Sequence, residues 1–415
     1  MAKFSTLKFL RLAMAPLAVA LSMPMTAQVK TEVPDVEPTA KPYTVEHIKI
    51  HGASLEGNLE GDVVDRDAIV FLPPSYAKDK KRRYPVIYAL HGYSIGAEQW
   101  THEIHVPQTI EGAIAKGAKE VIVVLPDSKT IHNGSMYSSS ITTGNFEKYV
   151  YHDVVEYMDA HYRTIPNRES RGLVGHSMGG YGASRIGMKH PDVFGALYIM
   201  SPCCMSARIG GGGGRPAGAG APGGPRPAGA PGAPGTPAAA AAPSAGAPGA
   251  GAPAGARPAG GPGGMGPGGM EAAIAAAKTP EDVAKLPAMF QTQLASAAAW
   301  SPNPKNPPLY ADLPTKDGVP QPDVQAKWAA NAPLAFVDQY IDNLKQYKAI
   351  SMDVGDQDGL RFDATKLHEI LDSYGIKNGF EIYHGTHTSA VAVRFQNYVM
   401  PFFNQNLCFE AHCAK

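Results

Sequence analysis

Residues 173–180 read Leu-Val-Gly-His-Ser-Met-Gly-Gly and hold a G-x-S-x-G pentapeptide centred on Ser177. A serine hydroxyl is a weak nucleophile until a base takes its proton and hydrogen-bond donors stabilise the oxyanion that forms. Gly175 and Gly179 permit a tight strand-to-helix turn that side chains on either flank would obstruct. The apolar run before the pentapeptide reads as a strand, and Tyr181 to Lys189 reads as a helix. The N-terminus of that helix faces the serine and favours negative charge there. The Met178 amide is then one oxyanion donor. His91-Gly92 ends another apolar run and opens the loop Tyr93 to Gln99, which offers the Tyr93 amide as the second. One such donor contributes about 3 kcal/mol of transition-state stabilisation. His91 precedes the serine and ends a strand, so it reads as a brace for this loop.

A serine on this kind of strand-to-helix elbow is followed by its acid and histidine in the order Ser, Asp, His. Ala349 to Val354 leads into Gly355-Asp356-Gln357-Asp358-Gly359, and Phe380 to Tyr383 leads into His384-Gly385-Thr386-His387. Asp358 is preferred as the acid over Asp356 and Asp353, and His387 as the base over His384. In these roles His387 takes the Ser177 proton and returns it to the leaving group. Asp358 holds the imidazole tautomer and stabilises its charged form. His105, His132 and His152 read as loop or surface residues. No His, Cys or acid spacing supports a metal, and no cofactor is called for.

These residues need a scaffold that delivers them at strand ends. Val45 to Ile50, Ala68 to Leu72, Val86 to Leu90, Val121 to Leu125, Leu173 to Gly175 and Ala196 to Met200 read as strands. An amphipathic helix lies at about Phe146 to Tyr162. Apolar strands separated by helices predict an α/β fold with a mostly parallel twisted sheet, its first two strands forming an antiparallel edge. Further on, helices are expected over Pro333 to Gln346, Ala364 to Tyr374 and Ser389 to Gln405, alternating with the strands Ala349 to Val354 and Phe380 to Tyr383.

The 415 residues contain 45 Gly and 37 Pro, unevenly spread: residues 210–270 hold 23 of the Gly, 13 of the Pro and no acid. Such a stretch buries too little apolar surface to offset its ordering entropy, so 207–270 reads as a disordered insertion between strands six and seven. Met270 to Trp300 is Ala-rich and helix-like, and Ser301 to Pro322 is Pro-rich and irregular. The expected organisation is a signal peptide at 1–27, one domain in two parts at 28–206 and 333–415, and a lid-like insertion at 271–332. The leader has Lys3, Lys8 and Arg11 before the apolar run Leu12 to Met23, with small residues at the cleavage point. The run is too short to span a bilayer, so a secreted or periplasmic protein without stable membrane insertion is expected. Export permits disulfides. Cys408 could pair with Cys413, or either could pair with Cys203 or Cys204, or the thiols could be free. Equal numbers of basic and acidic residues, 37 each, leave no field for a nucleic acid partner.

With these residues in place the chain resembles the esterase D and feruloyl-esterase group of α/β-hydrolases. The resemblance is close over Asp67 to Ser201 and looser over Ala349 to Phe403. Its most specific stretch is Arg163 to Ser201, with Tyr162-Arg163-Thr164-Ile165, Arg168 to Gly180, Tyr181-Gly182-Ala183 and His190-Pro191-Asp192-Val193-Phe194-Gly195-Ala196. It implies the α/β-hydrolase fold, Ser177, Asp358 and His387 as the triad, and the Tyr93 and Met178 amides as oxyanion donors. The insertion and the Gly-Thr-His-Thr around the base depart from the group's pattern. The expected function is hydrolysis of an acyl ester, small or polysaccharide-linked, such as an acetyl or feruloyl ester. Acyl transfer of the mycolyltransferase type and a non-catalytic binding module are the alternatives. Trp100, Tyr137, Asn145 and Phe146 are expected on strand-end loops lining the cleft.

Overall fold

The computed structural model describes residues 30–206 and 267–410. The expected leader, nearly all of the Gly/Pro-rich stretch and Cys413 lie outside the described residues. Eight strands form the central sheet, numbered here in chain order: β1 Thr44–His51, β2 Asp65–Leu72, β3 Val86–Leu90, β4 Ile122–Pro126, β5 Arg171–His176, β6 Ala196–Met200, β7 Ala349–Gly355 and β8 Gly379–Tyr383. Their spatial order is β1-β2-β4-β3-β5-β6-β7-β8. β1 pairs antiparallel with β2 and β2 antiparallel with β4, and every other pair is parallel. The antiparallel edge is therefore where the sequence pattern puts it.

Strand alternation divides the core in two. Val86, Tyr88 and Leu90 of β3, with Ile122 and Val124 of β4, point to one face, while Ile87, Ala89, Val123 and Leu125 point to the other. Successive side chains leave a strand on opposite faces, so a sheet buried on both sides reads as a continuous apolar run. On the second face lie α1 (Ala97–Glu103) and α2 (Val106–Ala115). The first face carries α3, which runs from Phe146–Lys148 through a π stretch at Tyr149–Val154 to Val155–His161. Beside it lies α4, Met178–Lys189. Glu147 of α3 pairs with Arg185 and Lys189 of α4, and Arg185 donates to Asn331 at 2.9 Å.

The insertion adds α5 (Ala288–Trp300) and α6 (Pro322–Ala330). A helix over Pro267–Ala276 precedes them, taking in the last residues of the stretch expected to be disordered. Ala-rich sequence favours helix, and proline is tolerated in a first turn. Ile274, Ala277, Val283, Phe290 and Leu294 form a small separate core. Trp300 and Trp328 instead join the main core, edge to face with centroids 5.3 Å apart. Their indole N–H groups donate to Ser138 and Ser301. The single helix expected over Pro333 to Gln346 is broken into Pro333–Phe336, a 3₁₀ turn Val337–Tyr340 and Ile341–Leu344.

The chain ends with α7 (Arg361–Ser373) on the first face. On the second lies α8, which runs through Val391–Arg394, a π stretch Phe395–Val399 and Met400–Asn406. Cys203 and Cys204 are free, and Cys408 is disulfide-bonded, so neither Cys203 nor Cys204 is linked to the C-terminal tail. Among the described residues no helix is long and apolar enough to cross a membrane.

Arg394 docks α8 on β7. Its Nε donates to Asp353 at 2.9 Å, and Asp353 also accepts from the Tyr198 hydroxyl at 2.8 Å. The two charged side chains are 4% and 1% exposed, so removing one leaves the other buried and unpaired. The Arg394→Met variant is expected to lose about 3–5 kcal/mol, read as the shift in a urea unfolding midpoint. A loss below about 1 kcal/mol would show that this pair does not hold the helix.

Candidate active site

Ser177 stands between β5 and α4 with φ 58° and ψ −115°, a backbone region that costs a non-glycine residue and persists only where packing enforces it. The packing is visible in the glycines around it. A Cβ on Gly175 would overlap the Gly179 carbonyl, and one on Gly179 would overlap the Leu90 carbonyl. A Cβ on Gly180 would stand 2.7 Å from the Met200 carbonyl. The turn is thus pressed against the ends of β3 and β6. The Ser177 amide donates to the Met200 carbonyl at 3.1 Å, and the Ser177 carbonyl accepts from Tyr181 and Cys203.

His387 Nε2 lies 2.8 Å from Ser177 Oγ, and His387 Nδ1 lies 2.7 Å from Asp358 Oδ2. The Asp358 side chain is 3% exposed and that of His387 35%, so the chain of bonds is rooted in the protein and open at the serine end. Burial pushes the Asp358 carboxyl up. The hydrogen bond and charge of His387, with the Leu360 amide, outweigh it and hold the group below its ordinary value. As a carboxylate Asp358 can only accept, so Nδ1 carries the imidazole proton and Nε2 faces the serine hydroxyl as an acceptor.

Asp356 does a different job. Its carboxylate accepts from the Gly385 amide at 3.0 Å and lies 3.0 Å from His384 Nδ1. Its amide donates to the Tyr383 carbonyl, and the Gln357 amide to Gly385. The loops after β7 and β8 are clasped together this way. Gly355 is required for it, because a Cβ there would overlap the Gly385 carbonyl. Asp353, bonded to Arg394, faces the core.

The Met178 amide lies in the first turn of α4, one of the N–H groups a helix leaves without an intrahelical acceptor. The Tyr93 amide follows Gly92, whose Cβ position is 3.6 Å from Ser177 Cβ. His91 braces this loop: its Nε2 accepts from the Ser128 amide at 2.9 Å, leaving Nδ1 to donate to the Gly92 carbonyl at 2.9 Å. Burial lowers its pKa. Among the described residues no group of three or more His, Cys, Asp or Glu is arranged to hold a metal ion.

Four expected cleft residues stand elsewhere. Trp100 is 0% exposed within α1, packed edge-on against Phe395. Tyr137 is equally buried, its hydroxyl donating to the His91 carbonyl. Phe146 packs against Tyr149. Asn145 caps α3 by accepting from the Lys148 amide at 2.9 Å. Nearness to a strand end in sequence did not reveal that the three aromatic side chains turn inward to the core, or that Asn145 is spent on a helix cap. His132, read as a loop or surface residue, is buried, and its carbonyl accepts from the Tyr93 hydroxyl.

Two features carried no sequence signal. The insertion reaches the neighbourhood of the Tyr93 loop through α5, where Gln291 accepts from Asn133 at 2.6 Å, and the Asn133 carbonyl accepts from the Ser94 amide at 2.9 Å. His176, within the pentapeptide itself, donates from Nε2 to the His387 carbonyl at 2.8 Å. Its ring is buried, which lowers its pKa from 6.5 to about 3, with the charge of His387 adding to the effect. The unfolded chain therefore takes up a proton below 6.5 that the folded chain refuses until about 3, and stability falls as the pH drops through that window. Asp358 acts in the same direction below 3.8: its folded value is lowered, so its contribution is lost in acid. The His176→Gln variant keeps a donor and removes the titration. Between about pH 6.5 and pH 4 it should lose about 3 kcal/mol less stability than the parent, measured by urea unfolding across pH. Parallel curves would count against a buried neutral His176.

The family model described as Putative esterase matches residues 64–397. An endo-1,4-beta-xylanase/feruloyl esterase of Xylanibacter ruminicola is 30% identical over 140 residues, 32% of this chain and 19% of that protein. Esterase Rv1288 of Mycobacterium tuberculosis is 28% identical over 124 residues, 29% of this chain and 25% of that one. The chain thus spans a quarter or less of the length of these curated relatives. Among solved structures, a ferulic acid esterase superposes with a TM-score of 0.54 at 20% identity, over 88% of this chain and 99% of the other. The fluorophosphonate-binding serine hydrolase FphF of Staphylococcus aureus gives 0.50 at 13% identity, over 88% and 98%. These likenesses show the α/β-hydrolase fold. With a match that runs from the second strand into the last helix, the chain belongs to this esterase family.

Proposed function

We propose that the protein hydrolyses carboxylic esters through an acyl-enzyme on Ser177. The observation that carries the reading is the chain of bonds from Ser177 Oγ through His387 to Asp358, at 2.8 and 2.7 Å, on a strained strand-to-helix turn. In the first half-reaction His387 Nε2 takes the serine proton as Oγ attacks the ester carbonyl. The tetrahedral oxyanion is held by the Tyr93 and Met178 amides. Collapse breaks the bond to the alcohol oxygen, which leaves with the proton returned by His387. Water repeats the sequence on the acyl-serine, releasing the carboxylic acid and the free hydroxyl. Asp358 stabilises the imidazolium formed in each half.

The substrate class is an acetyl or feruloyl ester, free or carried on a polysaccharide. Support comes from the relative named as a xylanase and feruloyl esterase and from the partly exposed His387, which leaves room for a bulky alcohol. A basic, then apolar, leader at residues 1–27 supports export of the enzyme to the compartment where such polymers are found.

A fluorophosphonate probe requires only an activated serine and an oxyanion hole. It should label the protein at Ser177, located by peptide mass spectrometry, and His387→Ala should abolish labelling. On a chromogenic acetyl ester, Ser177→Ala and His387→Ala should each reduce kcat by about 10⁴-fold or more with folding intact by circular dichroism. Folded protein that takes no label and turns over neither acetyl nor feruloyl esters would sink the proposal.

A further inference from the structure

Two thiols lie beside Ser177 with no part in this reaction. Cys203 and Cys204 follow β6, both half-buried and both free. Their Sγ atoms are 2.7 Å apart, already close to the S–S bond length of about 2.05 Å. Cys204 has φ 59°, and this left-handed turn brings both side chains to one side of the chain. The short segment is held by two backbone bonds, one to β7 and one to the site. The Ser201 amide donates to the Asp353 carbonyl at 2.8 Å, and the Cys203 amide to the Ser177 carbonyl at 3.1 Å. Adjacent cysteines seldom bond because the ring strains the peptide between them. Here the two Sγ atoms already lie 2.7 Å apart on a turn with a left-handed residue.

We propose that Cys203 and Cys204 form a modification site, a vicinal dithiol that closes to an eight-membered disulfide ring and slows turnover at Ser177. The oxidant is a low-molecular-weight disulfide. One cysteine thiolate attacks it, giving a mixed disulfide and releasing one small thiol. The neighbouring thiolate then displaces the second small thiol, so that two protein thiols are oxidised and one disulfide is reduced. Closing the ring turns the Cys203–Cys204 peptide, and the Cys203 amide passes that movement to the Ser177 carbonyl. Dithiol reductants reverse it.

The ring is independent of the esterase reading, and its effect on turnover rests on that reading. The full chain, with Cys203 and Cys204 reduced, is treated with oxidised glutathione at mildly alkaline pH. The mass should fall by two hydrogens, mapped to the single peptide containing residues 203 and 204. Turnover of a chromogenic acetyl ester should fall about tenfold, as expected for a small displacement of a reacting group. Dithiothreitol should restore both. Cys203→Ser should form no ring and should keep its turnover when one glutathione adds at Cys204. Because that variant retains the Cys408 disulfide, it also reports any effect of reducing it. Two glutathione adducts, a cross-linked dimer or unmodified thiols would overturn the site. A ring formed with unchanged turnover would overturn the coupling. Reduced protein with no turnover and no fluorophosphonate label would count against the esterase reading alone, since the mass still decides the ring.

Discussion

Everything at this site depends on how closely one turn is pressed against its neighbours. Ser177 occupies an unfavourable backbone conformation, and nothing in its own side chain stabilises it. The stabilisation comes from β3 and β6, whose terminal carbonyls lie where Cβ atoms of residues 179 and 180 would be. A cost of order 1–3 kcal/mol for such a backbone is small against the burial of the flanking strands. Any relaxation of the turn would have to push those strands apart. The same tightness sets the position of both amides proposed as oxyanion donors, because one belongs to the turn and the other to the loop that leaves β3.

The acid and base loops follow a related logic at the other side of the sheet. They leave adjacent parallel strands, and parallel strands project their C-terminal loops to the same edge. Bringing His387 to Ser177 then requires the two loops to lie flat on each other, which Gly355 permits and Asp356 fastens. Asp356 is therefore a structural partner of the acid, two residues away and with a different task.

Much of this was legible in the chain itself because the catalytic candidates sit directly after apolar runs. A run such as Val86 to Leu90 marks a strand, and its last residue marks an edge of the sheet. The order of Ser177, Asp358 and His387 could then be read off. Asp358 could be preferred to Asp356 by spacing, but only the three-dimensional packing distinguishes a buried acid from an exposed clasp. The aromatic residues were misassigned for the reason that sequence does not encode which way a loop folds. Tyr137 turns inward because the His91 carbonyl awaits its hydroxyl. The contact between Gln291 of α5 and Asn133 joins residues some 160 positions apart, across an insertion whose composition gives no hint of its docking. Trp300 and Trp328 anchor this part of the insertion in the main core.

The paired histidines carry one more consequence. The ring centroids of His176 and His387 are 4.8 Å apart, and only the second is exposed enough to exchange protons with a substrate. Two imidazolium ions at that distance would repel by about 3 kcal/mol at an intermediate dielectric. Burial removes the conflict by lowering the His176 pKa to about 3. The site thus has a single vacancy for a proton on its imidazoles. In the proposed reaction, a proton drawn from Ser177 would settle on His387 and nowhere beyond it, within reach of the departing alcohol.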